Sequence, residues 1–235
     1  MKRATKLRWL VGLASQLLVR VNAQNFFNLD FESAQLLAVP PGQFGGYVSV
    51  SDAMPGWQVY YGSSNAPLNV VPHNGLNAGT INASILGPNF SSFPIIEGQY
   101  MPFLQSGVSG SLNPEGRTVS LSQVGLVPAM AQSLQFKVNG FAATNFGVFL
   151  NGQSLPLFSL FSSSSYTLWS APVNGFTGQV SELRFTVFSP PERIYNNIGV
   201  DSFEFLSAAV PEPGTWALLG LGGALFCCAA RRRLK

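Results

Sequence analysis

Between residues 24 and 209 the chain repeatedly alternates apolar and polar side chains. Leu134, Phe136 and Val138 are separated by Gln135 and Lys137, and Leu183, Phe185 and Val187 are interleaved with Glu182, Arg184 and Thr186. Phe27, Leu29 and Phe31 alternate in the same way with Asn28, Asp30 and Glu32. A period of two turns every second side chain to one face, so each stretch predicts a strand with one buried side. Val119 and Leu121 form a shorter fourth case. Asn151-Gly152, set between Val148-Phe149-Leu150 and Leu155-Pro156-Leu157, predicts a tight hairpin, because both turn positions require residues at ease with positive φ. Asn74-Gly75, Asn139-Gly140 and Asn174-Gly175 are further turn candidates. Ser162–Ser165 reads as an exposed loop, and residues 32–56 and 62–79 are loop-rich. No stretch before residue 215 carries a helical period of useful length. The expected fold is therefore all-β, an antiparallel β-sandwich over residues 24–209.

The two ends follow different patterns. Met1 to Arg8 is basic, Trp9 to Val19 is apolar, and Val21-Asn22-Ala23 offers small or modest residues at the positions a signal peptidase reads. Residues 1–23 are thus expected to be a signal peptide, cut between Ala23 and Gln24; an uncleaved anchor helix is the alternative. At the other end, Val210-Pro211-Glu212-Pro213-Gly214 precedes an uncharged apolar run, Thr215 to Ala230, and the chain closes on Arg231-Arg232-Arg233-Leu234-Lys235. The run is short against the roughly 20 residues of a full span, but snorkelling ends and local thinning let such a segment cross a bilayer. The arginines should stay cytoplasmic, which leaves residues 24–209 outside the inner membrane, in agreement with the signal peptide.

Motif, apolar run and basic tail in that order resemble the PEP-CTERM family of sorting signals. The resemblance rests on Pro211, Glu212 and Pro213, on Trp216 to Ala230 and on the closing arginines, and covers residues 210–235. It implies export, anchoring in the inner membrane, and then processing by exosortase, an integral-membrane cysteine peptidase. The product would reach the cell surface or an extracellular matrix, in bacteria that make exopolysaccharide. The chemistry suits this: Pro-Glu-Pro is stiff and loses little entropy on entering a cleft, and Glu212 offers a carboxylate to a basic group. An ordinary tail anchor behind a proline-rich linker is the alternative.

Charge and cysteine usage narrow the function classes. The net charge of +3 belongs to the termini. Residues 24–209 hold nine acidic residues against four basic ones, Arg117, Lys137, Arg184 and Arg193, and are five charges negative. Nucleic-acid binding has no basic patch to stand on. The only two cysteines, Cys227 and Cys228, lie in the C-terminal apolar run, so the domain folds without disulfides.

The edges of the domain resemble a second family. Asn28-Leu29-Asp30-Phe31-Glu32 with Pro55-Gly56-Trp57 at the start, and Ile198-Gly199-Val200-Asp201-Ser202-Phe203-Glu204-Phe205 at the end, are similar to the galactose-binding-like jelly rolls of many carbohydrate-binding modules. That resemblance implies neighbouring first and last strands and a structural calcium, with Glu32 and Asp201 as its acidic ligands; carboxylates and backbone carbonyls are the oxygens calcium takes. The parity of Ile198 and Val200 does not continue to Phe203 and Phe205, which predicts a bulge near Asp201.

Catalytic candidates are few. His73 is the only histidine and lies in a turn-like segment, without a nucleophile motif elsewhere. Acids such as Glu97, Glu115, Glu182, Glu192 and Glu204 would have to converge in pairs to hydrolyse a glycoside. Tyr60, Tyr61 and Tyr195 are candidates for stacking on a sugar, whose ring faces are apolar; Trp57 and Trp169 are expected in the core. The reading is a non-enzymatic surface or matrix protein associated with polysaccharide. A carbohydrate-binding module with a defined glycan site is the alternative, and a secreted glycan-active enzyme stands third.

Overall fold

The computed structural model describes residues 24–76, 80–90, 92–107, 118–140, 145–189 and 196–210. Two antiparallel sheets pack face to face. The larger has the strand order β10 (Phe158–Ser162), β11 (Thr167–Pro172), β7 (Ser133–Gly140), β13 (Asn197–Leu206), β5 (Met101–Gln105), β4 (Asn82–Leu86). The smaller runs β2 (Gln58–Tyr61), β6 (Val119–Leu126), β12 (Val180–Val187), β8 (Phe146–Leu150), β9 (Gln153–Ser154). From β5 onward the chain repeatedly changes sheet, as in a jelly roll. A small ladder of β1 (Tyr47–Ser49) and β3 (Val70–Pro72) stands beside them, joined to a one-turn helix, α1 (Val50–Ala53). Ser49 Oγ caps that helix by accepting from the Asp52 amide.

The alternation sorts side chains as expected. Leu134, Phe136 and Val138 from one sheet meet Leu183, Phe185 and Val187 from the other in a single core, all fully buried. Aromatic rings run through this core. Phe136 stacks on Phe203 at 5.3 Å, Phe203 meets Trp57 at 5.5 Å, and Trp57 meets Phe31 at 5.2 Å. Such rings supply much of the buried area of a disulfide-free domain. Trp57 is a core residue, and Trp169 packs against the same cluster.

The Asn151-Gly152 hairpin joins β8 to β9, with φ of 49° and 77° at the two turn residues. The bulge near Asp201 is present: the β13–β7 register shifts between Asp201 and Glu204, and Ser202 takes a φ of 53°. Ser163–Ser165 lie in the exposed β10–β11 turn.

Two expectations are corrected. Residues 27–32 are not a strand. Asn28 and Phe31 take φ of 52° and 60°, which breaks the extended run, and the alternation there instead serves a turn. Phe31 is fully buried while Phe27 is largely exposed. The segment still lies against the last strand, because the Phe203 amide donates to the Leu29 carbonyl at 2.9 Å. Asn139-Gly140 is not a turn but the end of β7, paired with Gly199 and Ile198 of β13. Gly140 is required there because a Cβ would run into the Asn197 carbonyl.

Among the described residues no helix is long and apolar enough to cross a membrane. The expected signal segment 1–23 and apolar run 215–230 lie outside the described residues.

Candidate functional site

The turn at Asn28–Ser33 and the bulge of β13 bring Glu32 and Asp201 to one pocket of about 620 Å³, together with Glu97 and Lys137. The local folding is set by hydrogen bonds. Asn28 Oδ1 accepts from the Ser33 amide, its Nδ2 donates to the Pro55 carbonyl, and the Trp57 indole donates to the Asn28 carbonyl. Glu32 Oε1 then accepts from the Gln99 and Tyr100 amides at 2.9 and 3.0 Å. Its carboxylate occupies the space over Gly98, whose φ is 64° and where a Cβ would collide with it.

Asp201 is 1% exposed. Its two oxygens accept from the Ser202 amide at 2.6 Å and the Glu97 amide at 3.2 Å. Burial nonetheless pushes its carboxyl up to about 7, and the nearby charges of Glu32 and Glu97 add to the rise. Glu97 goes the other way. Lys137 Nζ donates to it and Ser202 Oγ donates at 2.8 Å, which holds its carboxyl below the usual value.

These oxygens suit a calcium ion in kind. Glu32 and Asp201 would be its acidic ligands, and a cation there would favour the ionised Asp201 that burial disfavours. Among the described residues no three His, Cys, Asp or Glu side chains are grouped to hold a metal, so most remaining oxygens would be backbone carbonyls. Diverging acidities within one pocket would also suit a general acid and base. However, the Asp201 carboxyl is enclosed and bonded to amides, and Glu97 is tied to Lys137.

The other candidates separate. Tyr60 is 8% exposed, and its ring lies beneath the Arg184 guanidinium at 4.6 Å, so it offers no open face. Tyr61 packs on the core, and its hydroxyl accepts from the Ala83 amide; burial raises its pKa. Tyr195 lies outside the described residues, as do Glu115, Glu192, Pro211, Glu212, Pro213 and Ala23. Gln24 is exposed at the start of the described chain. His73 is buried, its ring wedged between Gly45 and Gly87, and burial lowers its pKa. Glu182 pairs with Arg184 on its own strand at 2.7 Å.

Two neighbouring exposed rings lie elsewhere, on Phe44 and Tyr47. Their signal was the run Pro40-Pro41-Gly42-Gln43-Phe44-Gly45-Gly46-Tyr47, where turn-forming residues surround two rings that no alternation assigns to a core.

Residues 209–233 match the model of the PEP-CTERM protein-sorting motif, and the chain carries that motif. No curated protein matches the chain. Among solved structures, the module TmCBM61 in complex with β-1,4-galactotriose is similar at 14% identity, over 78% of this chain and 99% of that one, with a TM-score of 0.36. A family 11 carbohydrate-binding module from Clostridium thermocellum, in complex with a mixed-linked tetrasaccharide, is similar at 10% identity over 71% and 97%, with a TM-score of 0.36. A cleaved adhesin domain of Lys-gingipain from Porphyromonas gingivalis is similar at 13% identity over 72% and 100%, with a TM-score of 0.37.

Proposed function

We propose that this chain is a non-enzymatic exported protein that an exosortase-type peptidase sorts to the cell surface or matrix, where its β-sandwich contacts polysaccharide. The observation that carries the reading is the sorting motif at residues 209–233. The basic and apolar start of the chain supports export by a signal peptidase cut between Ala23 and Gln24. The run 215–230 would hold the protein in the inner membrane until processing.

A non-enzymatic domain is supported by the engagement of its polar groups. Glu32, Glu97 and Asp201 are each committed to backbone amides, to Lys137 or to Ser202. A structural calcium held by Glu32 and Asp201 belongs to this reading as a brace between the Asn28–Ser33 turn and the last strand.

Intact mass of the protein recovered from its host, measured separately on membrane and extracellular fractions, tests the sorting. The expected extracellular species starts at Gln24 and ends near residues 210–213. A single membrane species that retains Arg231 to Lys235 overturns the reading.

A further inference from the structure

The turn-rich segment before β1 leaves two aromatic rings in the open. Phe44 is 55% and Tyr47 is 67% exposed, with ring centroids 5.8 Å apart and planes at 87°. Exposed apolar side chains are ordinary singly, but here Leu37, Val70 and Leu76 share the same region, and a cluster of this kind marks a binding surface.

The two rings form a ridge between two adjoining depressions of about 510 and 530 Å³, both lined by Gln43, Phe44 and Tyr47. These are volumes of small-ligand sites. The first depression adds Asn74, Asn82 and Phe90, and none of its described lining residues is charged. The second adds a single acid, Asp52.

The ridge is held in place before any ligand arrives. His73 extends the β1–β3 ladder as far as Gly45, next to Phe44: the Gly45 amide donates to the His73 carbonyl, and the His73 amide donates to the Gly46 carbonyl, each at 2.9 Å. The Phe44 ring lies against Gly75, where an added Cβ would meet ring carbons at 2.6 and 2.9 Å. Behind the first depression, Asn82 Nδ2 donates to Ser84 Oγ at 2.8 Å and to Gln105 Oε1 at 3.2 Å, which fixes that amide. Fixed groups lose less entropy on binding.

We propose that the Phe44–Tyr47 ridge binds an uncharged polysaccharide, with the apolar faces of successive pyranose rings against the aromatic rings and their hydroxyls toward the side-chain amides of the flanking depressions. The proposal rests on the surface role argued above and names the ligand class for it. Planar apolar faces between amides match a neutral sugar, which is apolar above and below its ring and hydroxylated around its edge. An acidic polysaccharide would find no lysine or arginine among the described residues of either depression, and the His73 of the second is buried, which lowers its pKa. A second copy of this chain seated on the ridge is the competing occupant, and its self-association is a separate outcome of the test.

The test uses the full chain in a polyoxyethylene detergent, run through native gels containing soluble β-glucan, galactan or xylan, with polygalacturonate as the acidic comparison. At least one neutral polysaccharide should retard the protein, and polygalacturonate should not. Phe44→Ala with Tyr47→Ala should weaken that retardation about tenfold or more, as loss of a central aromatic pair does. Gly75→Ala, which leaves both rings but evicts Phe44 from its seat, should weaken it as well. Phe161→Ala, which removes an exposed ring from β10 at the opposite edge of the larger sheet from β4, should leave it unchanged.

Binding that survives the double variant, retardation by polygalacturonate alone, or no retardation by any neutral polysaccharide would each overturn the proposal. So would sedimentation showing concentration-dependent self-association that the double variant abolishes, since the ridge would then be covered by a second copy. None of these outcomes alters the masses found in the host fractions, so failure here is distinguishable from failure of the sorting reading.

Discussion

At the scale of single residues, Asp201 is the most informative side chain. Its carboxyl titrates near 7 when folded, against 3.8 for the ordinary group. The folded chain therefore holds this proton more tightly than the unfolded chain does. Below pH 4 both states are protonated and the residue is neutral to stability. As pH rises toward 7 the unfolded state ionises first, so stability falls, by an amount on the order of a few kcal/mol, and levels off above 7. In calcium-free buffer the urea midpoint should fall across that window for the native chain, and Asp201→Asn should flatten the fall. An equal slope in the variant would show that other groups carry it. Adding millimolar calcium above pH 7 should raise the midpoint of the native chain and leave Asp201→Asn unmoved; no effect on either would end the case for calcium at this position. Asp201 was singled out by the resemblance of the domain's last strand, and the bulge beside it by the slip in parity along residues 198–205. Its partner Glu97 was not, because only the fold places a loop residue against a strand more than a hundred positions later.

At the scale of elements, strands that bury one face announced themselves, since a period of two has no other stable use in Leu134–Val138 or Leu183–Val187. The same period misled at residues 27–32. There Asn28 uses both ends of its side-chain amide and a left-handed φ to make a turn, and alternation is silent about φ. Asn139-Gly140 misled for the converse reason: its glycine answers to close approach of a neighbouring strand, not to a turn. The turn residue is testable. Asn28→Ala leaves the half-buried Pro55 carbonyl and Ser33 amide without that partner and places Ala at φ 52°, so it should cost about 2 kcal/mol in urea unfolding. Asn28→Gly relieves the backbone but not the lost bonds and should fall between Ala and the native residue. A loss under about 0.5 kcal/mol for Ala would mean that the turn is held by Trp57 and Phe31 packing alone.

At the scale of the whole molecule, the sandwich and the sorting motif meet almost without a spacer. The last described bond that ties the C-terminus to the sheet is Ser133 Oγ donating to the Ala208 carbonyl at 2.7 Å, one residue before the matched motif begins. Cleavage near Pro211 would thus fall after this bond, and the released domain would keep its core, its acid pocket and its aromatic ridge. The proposed sorting and the proposed binding would then be separable, the first resting on the motif and the second on Phe44, Tyr47 and the depressions beside them. Glu212→Ala tests that separation. It removes the one carboxylate of the Pro-Glu-Pro motif, so processing should fail and the chain should remain in the membrane fraction with Arg231–Lys235 attached. The same protein in detergent should still be retarded by a neutral polysaccharide as the native chain is. Release at the native rate would show that the peptidase reads the prolines and the apolar run without the acid. Loss of both release and retardation would show that the motif contributes to the fold, against the bonding that ends at Ala208.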